Sequence, residues 1–91
     1  MALLSNDQIA KELQSLNGWL HAGKEIRKTF DFKDFIRAIG FVSSVAFLAE
    51  KANHHPDIDI RWNKVTLTLA THSAGGLTEK DFRLAGEIDR L

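Results

Sequence analysis

The chain has 91 residues, with twelve Lys and Arg against twelve Asp and Glu, four histidines, one proline and no cysteine. That balance offers no basic surplus for nucleic acid and no Lys/Arg-rich face for a membrane surface, and without cysteine neither disulfides nor thiolate-bound metal can supplement a small core. At 44% hydrophobic residues the chain is too apolar to be disordered, and its size favours association with a second copy.

Residues 1–91 read as a single domain. Met1-Ala2-Leu3-Leu4 runs straight into polar Ser5-Asn6-Asp7, which leaves no secretory apolar run, so a cytoplasmic location is expected. Ser5 with Gln8 forms a capping-box pattern, Leu4 and Ile9 can staple across it, and Ile9, Leu13 and Leu16 share one face of a first helix ended by Asn17-Gly18. Trp19 to Ala22 reads as a brief strand turned by Gly23. Lys24 to Phe32 alternates as a half-buried strand, with Lys28 its one misfit on the apolar side. Asp31 or Asp34 caps a second helix reaching about Lys51. One of its stripes holds Phe35, Ile39, Val42, Ala46 and Ala49, and another holds Phe41, Val45 and Leu48. The stretch from Phe35 to Ala49 carries Arg37 and falls short of the roughly 20 residues that span a membrane. A helix apolar on two faces, in so small a chain, is expected to pack one face on its own sheet and the other on another subunit.

Asn53 suits a left-handed C-cap, and Pro56 pushes His55 into an extended conformation. Ile58, Ile60 and Trp62 then alternate with polar residues, as do Val65, Leu67 and Leu69, which predicts a hairpin. With Asn63-Lys64 as a two-residue loop, Trp62 faces Val65, Ile60 faces Leu67 and Ile58 faces Leu69. Thr78 and Asp81 repeat the capping box, with Leu77 and Phe82 as its staple, and start a third helix. The sum is an α+β fold: one antiparallel sheet with its helices on one face.

The same hairpin register sets His72 across from His55, gathering His54, His55 and His72 at one end of the sheet. Imidazoles titrate near neutral pH, with a free pKa of about 6.5, so three together suit proton transfer. A metal site is the competing use of three histidines. Adjacent residues of an extended chain point to opposite sides, however, which keeps His54 and His55 from one ion, so no metal is expected. The plainest alternative is that His54 and His55 merely end a helix and His72 merely ends a strand. Ser73 reads as a loop residue rather than a nucleophile, and Gly75-Gly76 lacks the Lys and glycine spacing of a phosphate loop. Asp81 is either the cap partner of Thr78 or an orienting carboxylate for an imidazole. Glu50 stands four residues before His54, where a solvated charge is the simpler reading. His21 reads as ordinary surface.

The pattern Glu50-x3-His54-His55-Pro56-x5-Trp62-x9-His72-x8-Asp81 resembles the pterin-4a-carbinolamine dehydratase family. Gly18-Trp19, Phe30-Asp31-Phe32-Lys33-Asp34-Phe35, Ala49-Glu50-Lys51, Asn63-Lys64-Val65 and Gly76-Leu77-Thr78 extend the likeness over nearly the whole chain. The resemblance implies a four-stranded antiparallel sheet with three helices packed on one face. It also implies an enzyme that removes water from 4a-hydroxytetrahydropterin to give quinonoid dihydropterin, in tetrahydrobiopterin recycling, with no cofactor. His54, His55 and His72 would be its catalytic histidines, His54 and His72 trading acid and base roles while His55 holds the pterin. Asn53, Thr71 and Ser73 would bind substrate beside them, Glu50 and Asp81 would orient, and Trp19 would wall the pocket. Where Asn53 stands, the family often carries an acid. Members dimerise through sheet edges and tetramerise through the central helix, so a homodimer or homotetramer is expected, with an aromatic amino-acid hydroxylase as possible partner. The competing reading is a non-catalytic oligomerising module or transcriptional cofactor on the same fold.

Overall fold

The structure, a computed structural model, describes residues 2–91; Met1, part of the N-terminal reading, lies outside the described residues. Helix α1 (Asn6–Gln14) begins as its sequence dictates. The backbone N–H of Gln8 donates to Ser5 Oγ at 3.2 Å and Gln8 Oε1 accepts from the Ser5 N–H at 2.8 Å. It stops before the predicted Asn17-Gly18 signal, because the Ser15 hydroxyl donates back to Glu12 O at 2.8 Å and diverts that carbonyl from the helix. Gly18 still adopts a left-handed φ of 83° on the way to β1.

Strands β1 (Leu20–Ala22) and β2 (Glu25–Asp31) form a hairpin about Gly23, and β3 (Asp57–Arg61) and β4 (Lys64–Leu69) form another. All pairings are antiparallel in the order β1-β2-β4-β3, so β4 is central and β3 is an edge. Ile26, Val65, Leu67 and Leu69 are fully buried beneath the helices, each contributing about 1.5–3 kcal/mol by burial. Arg27, Thr29, Thr66 and Thr68 stand on the opposite, open face, where the Thr29 and Thr66 hydroxyls meet at 2.8 Å. The fold is therefore the expected α+β arrangement of three helices and a four-stranded antiparallel sheet.

The second hairpin departs from the predicted register by two residues. Ile58 pairs with Leu67 and Ile60 with Val65, and Trp62-Asn63 forms the turn instead of Asn63-Lys64. Asn63 explains the shift: its Nδ2 donates to Phe32 O at 2.8 Å and its carbonyl accepts from the Phe32 N–H at 2.9 Å, which fastens the turn to the end of β2. Lys64 is thereby placed in the ladder, its Nζ 2.9 Å from Asp31. Trp62 is left at φ 53°, in the left-handed region a bulky side chain rarely takes. A slip of two keeps every side chain on its predicted face. Burial differs, since Ile58 and Ile60 lie on the uncovered edge and remain about 40% and 37% exposed.

Helix α2 (Phe35–Ala52) is capped by Asp34, whose side chain accepts from the Arg37 N–H at 2.9 Å, while Asp31 stays in β2. Its core face carries Ala38, Val45 and Ala49, with Phe41, Val42 and Leu48 packed alongside. Phe35, Ile39 and Ala46, placed by periodicity on one stripe with Val42 and Ala49, face away. Helix α3 (Glu79–Asp89) closes the core with Phe82, Leu84, Ala85 and Ile88. Lys28, the misfit of β2, has its ammonium 2.8 Å from Asp89 and 4.7 Å from the centre of the Phe30 ring, so its charge is matched where an apolar residue was expected. Among the described residues no helix is long and apolar enough to cross a membrane.

Candidate active site

Three chain segments meet at one end of the sheet. The first is the exit from α2. Asn53 takes the left-handed conformation (φ 51°, ψ 44°) that ends the helix, and the next N–H, that of His54, returns to Ala49 O at 3.0 Å. The chain is thus reversed at the point where His54 and His55 emerge. The second is the loop after β4. Thr71 and Gly76 pair as an isolated bridge, and a single 3-10 turn (His72–Ala74) closed by Gly75 at φ 78° projects His72 and Ser73 outward. The third is the first turn of α3, which supplies Asp81.

Asp81 joins the three. It is fully buried, and its two oxygens accept from three groups: the His54 Nε2–H at 2.6 Å on Oδ1, and the Thr78 N–H at 2.9 Å and Thr71 hydroxyl at 2.8 Å on Oδ2. Thr71 spends its only hydroxyl proton on Asp81, so at 2.8 Å it must accept from the Thr78 hydroxyl, which in turn accepts from the Lys80 N–H at 3.3 Å. The cap partner and the orienting carboxylate, alternatives in the sequence, are one residue performing both tasks. An acceptor at Nε2 places a proton on that nitrogen and leaves Nδ1 of His54 with its lone pair for another group. The His54 side chain is about 10% exposed, enough to present one edge.

Around this network lies an open cleft of about 390 Å³ whose lining includes Asn53, His54, His55, Thr71, His72 and Ser73. The structure therefore brings together all six side chains predicted for catalysis and substrate binding, even though the hairpin ladder that suggested their approach is shifted and ends at Asp57 and Thr68. Glu50 reaches His55, 3.3 Å from its Nε2, rather than His54, because α2 ends at Ala52 and turns away; both partners are exposed. Trp19 does not wall the cleft. It is a core residue, 5% exposed, with its ring edge-on to Phe30 and its N–H within 3.0 and 3.1 Å of the Asp89 carboxylate oxygens. Asp89 is eight residues beyond Asp81 on α3, about 12 Å along the axis. His21 bonds Gly23 O at 2.7 Å, outside the cleft lining. Lys80, which sequence reasoning passed over, lines the cleft; its only signal was adjacency to Asp81 in the capping box. Among the described residues no three His, Cys, Asp or Glu side chains are grouped as metal ligands.

The arrangement suits proton transfer at a bound ring: one imidazole with a fixed tautomer, two exposed imidazoles, and polar groups on the rim. Comparison with known proteins identifies the family. A protein from Roseiflexus castenholzii named "Putative pterin-4-alpha-carbinolamine dehydratase" is 61% identical over 90 residues, covering 99% of this chain and 97% of its own length. A protein of the same name from Nocardia farcinica is 56% identical over 98% of this chain and 94% of its own. A crystal structure from Brucella melitensis described as a transcriptional coactivator/pterin dehydratase superposes with a TM-score of 0.92 at 38% identity, covering 96% of this chain and 95% of that one. A pterin dehydratase-like protein identified as a RuBisCO assembly factor in the alpha-carboxysome matches with a TM-score of 0.69 at 26% identity, over 81% of this chain and 88% of its own. Residues 2–91 match the sequence model described as Pterin 4 alpha carbinolamine dehydratase, and the chain belongs to that family.

Proposed function

We propose that the protein dehydrates 4a-hydroxytetrahydropterin to quinonoid dihydropterin by histidine acid–base catalysis, in tetrahydrobiopterin recycling in the cytoplasm. The observation that carries this reading is the buried Asp81–His54 pair opening onto a cleft lined also by His55 and His72. The reaction breaks the bond between C4a and its hydroxyl oxygen, which leaves as water after receiving a proton. The ring nitrogen next to C4a loses its proton, and the electron pair left behind forms the new C=N bond. No electrons are gained or lost overall. One group must donate a proton and another accept one, and imidazoles do both near neutral pH.

In this reading His54 accepts the ring proton at Nδ1, and Asp81 stabilises the imidazolium that forms, as a carboxylate behind an imidazole does in hydrolytic triads. His72, carried on the tight loop opposite, protonates the departing hydroxyl. His55, Asn53 and Ser73 hold the pterin ring, while Thr71, its hydroxyl committed to Asp81 and Thr78, forms part of the cleft wall. The test is to generate the carbinolamine with an aromatic amino-acid hydroxylase and follow its loss. Wild-type protein is expected to accelerate it, and His54→Ala or His72→Ala to lose about 100-fold or more of that acceleration. No acceleration by the wild type would overturn the reading.

A second reading, a non-catalytic oligomerising module, is favoured by one observation: Ile36 and Phe47 of α2 are about 80% and 78% exposed. The same surface fits a homo-oligomer of the enzyme, so the two readings separate on turnover.

A further inference from the structure

A second recess, of about 250 Å³, lies between the C-terminal part of α2 and α3. Lys51 lines it from α2, and Lys80, Arg83 and Glu87 line it from α3, spaced so that they share one helix face. His54 and Lys80 line both this recess and the histidine cleft, so the two spaces adjoin. A side chain on a ring seated in the cleft would pass His54 and Lys80, the two residues common to both linings, to reach Lys51 and Arg83.

The recess is rich in uncommitted positive charge. Lys28, Arg61 and Lys64 each have a carboxylate at ion-pair distance; among the described residues no carboxylate stands so close to Lys51, Lys80 or Arg83. Lys80 also sits in the first turn of α3, where the helix dipole disfavours a cation. Helix stability does not explain its charge. With Glu87 as the one carboxylate in the lining, the recess carries a surplus of two positive charges, and a phosphate monoester carries about −1.5 to −2 at neutral pH. The volume is below that of sites for drug-sized molecules but suits the end of a short chain.

We infer that this recess receives the phosphate of a pterin whose ring side chain ends in a phosphate monoester. The inference rests on the pterin reading of the histidine cleft and specifies the substrate class within it. A neutral polyol side chain leaves the three cations in water and is accepted; a phosphorylated one is preferred.

The experiment is calorimetric binding of two probes to the full chain: a dihydropterin with a trihydroxypropyl side chain, and the same molecule phosphorylated on its terminal hydroxyl. Wild-type protein is expected to bind the phosphorylated probe about fivefold or more tightly at low salt, the upper range of a single exposed ion pair, with the gap narrowing as salt rises. The double variant Lys51→Glu/Arg83→Glu should lose the preference while retaining the dehydration of a neutral carbinolamine, and Glu87→Gln should widen it. Equal affinities in the wild type, failure of either probe to bind, or a preference that survives in the double variant would each overturn the inference. Dehydration of the neutral carbinolamine is measured alongside, so that loss of the phosphate preference alone is distinguished from failure of the dehydratase reading.

Discussion

Asp81 concentrates most of the site's organisation in one carboxyl group. Its Oδ2 starts α3 through the Thr78 N–H and gathers the Thr71 hydroxyl, while its Oδ1 fixes His54. Asp81→Asn keeps the size but offers an amide whose N–H₂ can only donate, so it competes with the tautomer that carries its proton on Nε2. Dehydration is expected to fall by about 100-fold or more, read as kcat with the hydroxylase-coupled assay. Asp81→Ala goes further and leaves the buried Thr71 hydroxyl and Thr78 N–H without their acceptor, at about 1–3 kcal/mol each, measured by the urea midpoint. At this scale the sequence was legible where a residue type carried its own local signal: the histidines, the Thr78/Asp81 box and the Asn53 cap. It was not legible for Trp19, whose partner Asp89 lies 70 positions away, nor for Lys80, whose place in the cleft depends on how α3 docks beside the α2 exit.

Among the elements, the second hairpin shows what alternation can and cannot specify. Period two assigns faces, and those hold; it leaves a slip of two residues open, and the choice is made by Asn63 bonding Phe32 across to β2. The consequence falls on Trp62, held at φ 53° and about 69% exposed. In a two-residue hairpin loop with positive φ at its first position only, glycine is the residue that fits there. Trp62→Gly is therefore expected to raise stability by about 1 kcal/mol, visible as a higher Tm. The α2 stripes make the same point. Apolar residues on two faces were evident, but which face meets the sheet is decided by packing: small Ala38 and Ala49 permit close approach to the core, whereas Phe35 and Ile39 remain outside.

For the whole molecule, the outward face of α2 and the uncovered edge β3 leave large apolar side chains in water: Phe35, Ile36 and Phe47 on the helix, Ile58 and Ile60 on the edge. An assembly of like chains would cover such surface, so light scattering at micromolar concentration is expected to give a mass above that of one chain. Ile36→Glu/Phe47→Glu, which touches nothing in the core, should reduce it. The Asp81 network also has a consequence for motion. Fraying at a helix end is ordinarily a local and silent event, but the first turn of α3 cannot open here without withdrawing the acceptor that holds the His54 proton in place. The His54 tautomer and the integrity of that turn therefore rise and fall together, and every transient opening of the helix start is also an interval in which the proposed base is disarmed.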